Sequence, residues 1–315
     1  MSSTPQTQQP FSAAIVLARS AQILLPCAVF AAVLWAFDTE MIYVLPMLLF
    51  FIAVFAWEIL SPLQALQMNV WQRWPANGLM WALNILIGSK LGQAIVLLAV
   101  SYQVSYGSGW LTDTFDNQIL ITLICILVLD VWHYFFHRLM HHWAWLWRIH
   151  RVHHSDRDFD LTTGLRFHPF EGAITTAWML APALALGMPW YALMANALLT
   201  LTVDYFTHAN AQLPPRLERL ARYLFVTPSL HRIHHSVLAP EDRYNYSTTF
   251  IFWDRLFGTY KSRSAQKGAA PLTGVEEIPA TRSSGSIHTL LMPFNHFPAT
   301  SASDRSPKKR KRSQK

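Results

Sequence analysis

Charge is scarce in this sequence: 14% of its 315 residues are charged and 52% are hydrophobic, where an ordinary soluble domain carries about 25% charged residues. That deficit points to a membrane protein. Cysteine is scarcer still. Cys27 and Cys125 both sit in apolar runs and read as small core or lipid-facing residues, not as a disulfide or a metal pair. Signature motifs are missing too. No G-x-G-x-x-G and no C-x-x-C-H occurs, so the chain shows no nucleotide or haem domain of its own. No His is followed by Glu, which removes the H-E-x-x-H box of zinc proteases. The first dozen residues are polar and lack a basic segment, against a cleaved signal peptide.

The charge that exists is unevenly placed. The formal charge is +7, but the last eleven residues, RSPKKRKRSQK, hold seven Lys/Arg and no acid, so residues 1–304 sum to zero. Membrane spans precede this tail, which therefore reads as a solvated polybasic segment near anionic lipid, with no nucleic-acid partner. Apolar runs at about 13–36, 41–60, 80–106 and 117–136 each approach the roughly 20 residues that cross a bilayer, the third interrupted by Lys90. A further stretch, about 170–206, is too long for one span. Gly187 and Pro189 break it near its middle, which predicts a hairpin of two legs of about 18 residues that returns to the side it left.

Loops 37–40 and 103–116 carry only acids, Asp38, Glu40, Asp113 and Asp116. Arg73 lies in loop 61–79, and Arg138, Arg148, Arg151, Arg157 and Arg166 follow the fourth run. By the positive-inside rule both termini and everything after the fourth span are cytoplasmic. The expectation is an all-α, multi-span membrane protein. It has a polar segment 1–12, four N-terminal transmembrane helices within 13–119, a region 120–260 with the hairpin and a histidine-rich helical cap, and a loosely ordered segment 261–315.

Histidine is abundant. Twelve of the fourteen lie between His133 and His235. HRVHHS at 150–155 recurs as HRIHHS at 231–236, each with histidines at i, i+3 and i+4 on one helical face. DVWHYFFHRLMHH puts Asp130, His133, His137 and His141 on one stripe. A lone histidine on an apolar face is ordinarily a satisfied core residue; three clusters on one side of a membrane point to metal. Eight or more imidazoles suffice for two ions, of Fe, Zn or Cu. A structural zinc would favour thiolates, and a metal transporter would place ligands and carboxylates mid-span, whereas these histidines stand at span ends and beyond. Asp130, Asp204, Glu171 and Asn210 are plausible partners that fix the histidine tautomers. Two irons beside an apolar cavity would use O2 against unactivated C–H bonds such as acyl chains and sterol rings offer. One zinc with an activated water would instead make a membrane hydrolase, and a binding or scaffold role would need fewer ligands.

The motifs D-x-x-x-Y-x-x-H-R-x-x-H (130–141), L-W-R-I-H-R-V-H-H-S (146–155), L-R-F-H-P (165–169), T-P-S-L-H-R-I-H-H-S (227–236) and W-D-R-L-F-G-T-Y (253–260) together resemble the fatty acid hydroxylase / sterol desaturase superfamily. The resemblance covers about 120–260. It implies an integral-membrane, non-haem diiron oxygenase that takes O2 and electrons from a separate reductase, cytochrome or ferredoxin to hydroxylate or desaturate a lipid. His137 and His141 match the H-x-x-x-H box; His150, His153 and His154 match the first H-x-x-H-H box, and His231, His234 and His235 the second. His168 and His208 match the isolated histidines. His133 departs from the pattern, which usually has an aromatic there, and is read with Asp254 as a neighbour of the ligands. Asn245 and Tyr246 are expected to line the site, His142 to face away, and His288 and His296 to belong to the loose tail. Arg138, Arg151 and Arg232 each follow a box histidine, placed to pair with carboxylates, to guide an electron donor or to bind lipid phosphate.

Overall fold

The computed structural model describes residues 41–88, 90, 94, 109–266, 268 and 270–295. The first expected span, most of the third, His296 and the basic tail lie outside them. Among the described residues there are twelve α-helices and no strand beyond isolated bridges. The chain divides at Ser61 into two compact units. In the first, α1 (Met41–Leu60) is a 20-residue apolar helix over the second expected span.

The second unit is built on α4 (Gln118–His142), preceded by α2 (Val70–Leu83) and the short α3 (Trp110–Thr114). Among the described residues α4 alone is both long and apolar enough to cross a membrane. Its start is fixed by Asn117, whose side chain accepts from the Ile119 and Leu120 amides at 3.0 and 3.1 Å. Ile119, Leu123 and Leu127 are exposed, whereas Ile121, Cys125 and Leu129, four residues apart, are buried in a core with Ala183, Met188 and Ala192.

That core is the closed end of the predicted hairpin. Its legs, α6 (Pro169–Leu186) and α7 (Trp190–Thr207), have 18 residues each. Gly187 ends α6 in the left-handed region, φ 61°, and the Met188 amide reaches back to Ala183 O at 2.9 Å. A side chain at Gly187 would run into the backbone of Gly109, so two glycines let loop and turn touch. Trp132 of α4 and Trp178 of α6 stack at 4.9 Å and exchange indole N–H bonds to each other's carbonyls, 3.0 and 3.2 Å.

The cap consists of α5 (Ala144–His154), the loop 155–168, α8 (Pro215–Leu224), α9 (Pro228–His234) and α10 (Phe252–Leu256). Beneath the loop, Arg73 of α2 pairs with Asp156 at 2.7 Å and with Asp160, all three buried. Arg166 donates to Asn77 Oδ1, Val152 O and Ser283 O. These arginines and Arg151 were counted above as cytoplasmic charge; the fold spends them internally, so they report little on orientation.

Residues 270–295 pack against the fold, which their composition does not suggest. Their α11 (Ala280–Ser283) and α12 (Ser286–Leu291) accompany Val275, Ile278 and Met292, which are buried against Met80 and Val152. Arg151 donates to Met292 O and Asn295 O, and Arg157 to Val275 O and Ile278 O. Composition does not reveal this packing because buried arginine bonds to backbone carbonyls accompany its few apolar contacts.

Candidate metal centre

Nine buried histidines converge in two adjacent groups. His137, His141, His150, His154 and His234 form one; His153, His208, His231 and His235 form the other; within each, one ring nitrogen per residue lies within 4.8 Å of all the others. Helix spacing explains the division. In the first repeated phrase, His150 and His154 serve one group and His153 the other. In the second, His231 and His235 serve the group of His153, while His234 crosses to that of His150. The two phrases thus make reciprocal contributions. Helix α4 supplies His137 and His141, and His208 caps the end of α7.

Protein acceptors fix several ring orientations. His137 Nδ1 donates to Tyr246 O at 2.7 Å, His234 Nδ1 to Tyr244 O at 2.8 Å, and His150 Nδ1 to Glu171 Oε1 at 2.7 Å. His208 Nδ1 donates to Asp204 O at 2.8 Å, with Asp204 Oδ1 at 3.2 Å. A carbonyl can only accept, so the proton must sit on Nδ1 and the lone pair on Nε2. Yet His137 Nε2 lies 3.0 Å from His234 Nε2 and 3.1 Å from His150 Nε2. Three lone pairs facing each other at that distance repel, and no hydrogen bond joins them. A cation among them removes the conflict. In the same group both ring nitrogens of His141 are buried without a partner, a cost of about 1–3 kcal/mol per group that a ligated ion would relieve. In the second group the Nε2 atoms of His208 and His231 stand 2.9 Å apart, and the buried Nδ1 atoms of His153, His231 and His235 lack partners. The donor sets therefore fit divalent ions that accept imidazole.

Electrostatics agree. Burial, reinforced by neighbouring imidazoles, holds His153, His154, His231 and His235 well below the ordinary histidine range, and pushes His234 down to about 3. Neutral imidazoles are the form that binds metal.

The remaining expected site residues separate by what they touch. Glu171 bonds the box histidine His150 directly, and Asp204 bonds the isolated His208. Asp254 acts one step away: it accepts from the Tyr246 and Ser247 amides at 2.8 and 2.9 Å, holding the loop whose carbonyl receives His137. His133 bonds Thr248 Oγ1 at 2.7 Å and stands 6.3 Å, ring to ring, from His137, outside both groups. Asp130 accepts from the Thr249 and Phe250 amides and the Trp253 indole, and Asn210 accepts from Arg232 at 2.8 Å. His168 is also outside both groups. Its Nδ1 caps α6 by accepting from the Phe170 amide, and its Nε2 donates to Leu290 O at 3.1 Å. Arg151 and Arg232 are buried among backbone carbonyls and Asn210, away from lipid.

The sequence reading missed the acceptor role of the Tyr244 and Tyr246 carbonyls. Asn245 between them adopts φ 56°, a region that asparagine tolerates, and its amide is tied to Leu230 O, Lys261 O and the Lys261 amide. The sequence carries no signal for these carbonyls, since every residue has one.

A cavity of about 470 Å³ runs from the histidines between α4, α6 and α7. His137 and His150 of one group and His153, His208 and His231 of the other border it, so both groups open onto one space. Its size falls within the range of small-molecule sites, about 300–1,000 Å³.

Residues 122–259 match the sequence model of the fatty acid hydroxylase family. That stretch, which holds all nine converging histidines, is therefore similar to a fatty acid hydroxylase domain. The chain is similar to the ornithine lipid hydroxylase of Rhizobium tropici, 31% identical over 55% of this chain and 51% of that protein. It is 33% identical to the alkylglycerol monooxygenase of Homo sapiens over 44% of this chain and 30% of the relative. With the methylsterol monooxygenase 1 of Rattus norvegicus it shares 32% identity over 43% of this chain and 44% of that one. The chain thus spans about half or less of the length of these relatives. No solved structure matches the chain significantly.

Proposed function

We propose that the nine histidines hold two iron ions and that the protein is an O2-dependent oxidoreductase that hydroxylates or desaturates a C–H bond of a lipid lodged in the adjoining cavity. The facing Nε2 lone pairs of His137, His150 and His234 at the mouth of that cavity carry the reading. The names of the relatives, each a lipid hydroxylase or monooxygenase, support it. Bound iron supplies a place for O2 to be reduced next to the substrate. The protein's part is to hold each ring. Glu171, Asp204 and the carbonyls of Tyr244 and Tyr246 keep protons on Nδ1, so Nε2 stays available and the rings do not rotate.

In a hydroxylation, O2, two electrons, two protons and the substrate C–H give C–OH and water. The two electrons come from an external donor, a reductase with a cytochrome or ferredoxin, because the sequence carries no nucleotide or haem motif. The enzyme is a multi-pass membrane protein with α1, α4 and the hairpin in the bilayer and the histidine cap at its cytoplasmic face. Helix α8 supports this placement. Glu218 and Arg222 are half-buried, bonded to each other and to Ser229, while Leu217, Leu220 and Leu224 are exposed beside Arg216 and Arg219. Exposed leucines flanked by arginines suit a helix lying on lipid.

The test is incubation of the purified, iron-loaded protein with candidate lipids, a reductase system and ¹⁸O-labelled O2. Label in a product hydroxyl, or O2-dependent loss of two hydrogens, is expected. Turnover without O2 or reductant would instead establish a zinc-type hydrolase on the same histidines.

A further inference from the structure

Helix α7 is mostly apolar; the Thr202 and Thr207 hydroxyls are spent on the carbonyls of Leu198 and Asp204, and one line of polar residues remains. Asn196, Thr200, Asp204 and His208 follow at four-residue intervals, and all four line the cavity. On the facing helix, Thr175 and Thr176 line it too. Asp204 is engaged with His208, and the Thr176 hydroxyl is spent on Gly172 O at 2.8 Å. Asn196, Thr200 and Thr175 differ: their side chains make no hydrogen bond among the described residues, and the cavity is what they border. Within a hydrocarbon-embedded hairpin, an amide and two hydroxyls with no partner among the described residues are costly, and polar groups at membrane depth characteristically mark the path of a substrate.

We infer that Asn196 and Thr200 form a binding subsite for a neutral hydrogen-bonding group of the lipid, an amide or a hydroxyl, remote from the carbon that is oxidised. The inference rests on the lipid-oxidising reading above and narrows its substrate class. Neutrality follows from the lining. Among the described residues no lysine or arginine borders the cavity, and its three carboxylates lie at the histidine end: Asp130 is committed to backbone amides and Trp253, Glu171 and Asp204 to histidines. Amide and hydroxyl side chains both donate and accept, so they match a partner that does the same. Distance follows from the helix rise. Thr200 and Asn196 lie 8 and 12 positions before His208, roughly 12 and 18 Å along the axis at about 1.5 Å per residue. The group bound there is on the order of ten bonds from the carbon presented to the metals, taking about 3.5 Å per three bonds of extended chain.

The experiment is equilibrium binding to the full-length protein in nanodiscs, with three probes of matched length: an N-alkyl fatty amide, the corresponding long-chain ester and the corresponding alkane. Wild type is compared with N196L and T200V, and metal content is measured to show that each variant is folded. The expected result is tighter binding of the amide than of the alkane by about ten-fold or more, with the ester between them, and loss of that preference in both variants without weaker alkane binding. An amide preference that survives in both variants, or wild-type binding of all three probes with equal affinity, overturns the subsite while leaving the lipid reading intact. If wild type binds none of the probes and oxidises no lipid, the reading on which the subsite rests fails.

Discussion

His137 and His234 stand 3.0 Å apart, Nε2 to Nε2, while each donates its Nδ1 proton to a backbone carbonyl two residues from the other's, Tyr246 and Tyr244. One loop, turned by Asn245, thus aims two histidines from distant parts of the chain at a common point. The ring orientation is set by backbone, and the backbone is held by Asp254.

Asp254 is therefore a positioning residue, and its removal acts at a distance. Asp254→Ala frees the amides of Tyr246 and Ser247, and metal affinity is expected to fall by about 10–100-fold, as for other residues that orient a ligand through its hydrogen bonds. Asp254→Asn keeps one acceptor oxygen and falls less. Competition with a chromophoric chelator measures both; unchanged affinity in the Ala variant contradicts the role.

Beneath the cap, the buried Arg73 faces Asp156 and Asp160. Breaking a buried ion pair from one side costs about 3–5 kcal/mol, because the remaining charge stays buried. Asp160→Ala is expected to lower the thermal unfolding midpoint by about 10 °C, measured in detergent by intrinsic tryptophan fluorescence. A drop of only a degree or two would show that Asp156 alone suffices to compensate the buried guanidinium.

The metal-free protein should weaken in mild acid. In the unfolded chain a histidine titrates near about 6.5, whereas burial holds His153, His154, His231 and His235 well below that and His234 near about 3. Below the unfolded value the unfolded state binds more protons, so stability is complete above pH ~6.5 and declines as pH falls toward the folded values. Unfolding midpoints of chelator-treated protein at pH 7.5, 6 and 5 check this. A midpoint that stays level or rises on acidification contradicts it.

Helix α8 gives a local test of membrane contact. An environment-sensitive fluorophore on L220C is expected to shift to shorter wavelength in nanodiscs and to resist an aqueous quencher, whereas one on E276C, exposed in the C-terminal segment, is not. Equal quenching at both positions would take α8 off the lipid surface.

Much of this arrangement is legible in the sequence, for physical reasons that differ by residue. The hairpin was readable because Gly187 and Pro189 interrupt an apolar run too long for one span. The boxes were readable because i, i+3, i+4 spacing constrains where rings can point. His168 shares the residue type and the neighbourhood, yet its ring caps a helix, a local use that spacing cannot reveal. The carbonyls of Tyr244 and Tyr246 left no trace, because every residue has one and only the turn at Asn245 selects them. Arg73, Arg151 and Arg166 looked like surface charge, since a sequence does not show that acids and carbonyls 80 to 140 residues away will enclose them.

The most direct test is the metal content of protein purified anaerobically, with iron and zinc quantified per chain. The account predicts a capacity of about two irons per chain. His208→Ala should empty the four-histidine group and leave about one, and His141→Ala should impair the five-histidine group and leave the other filled. One tightly held zinc, with no capacity for iron after reconstitution, would contradict it.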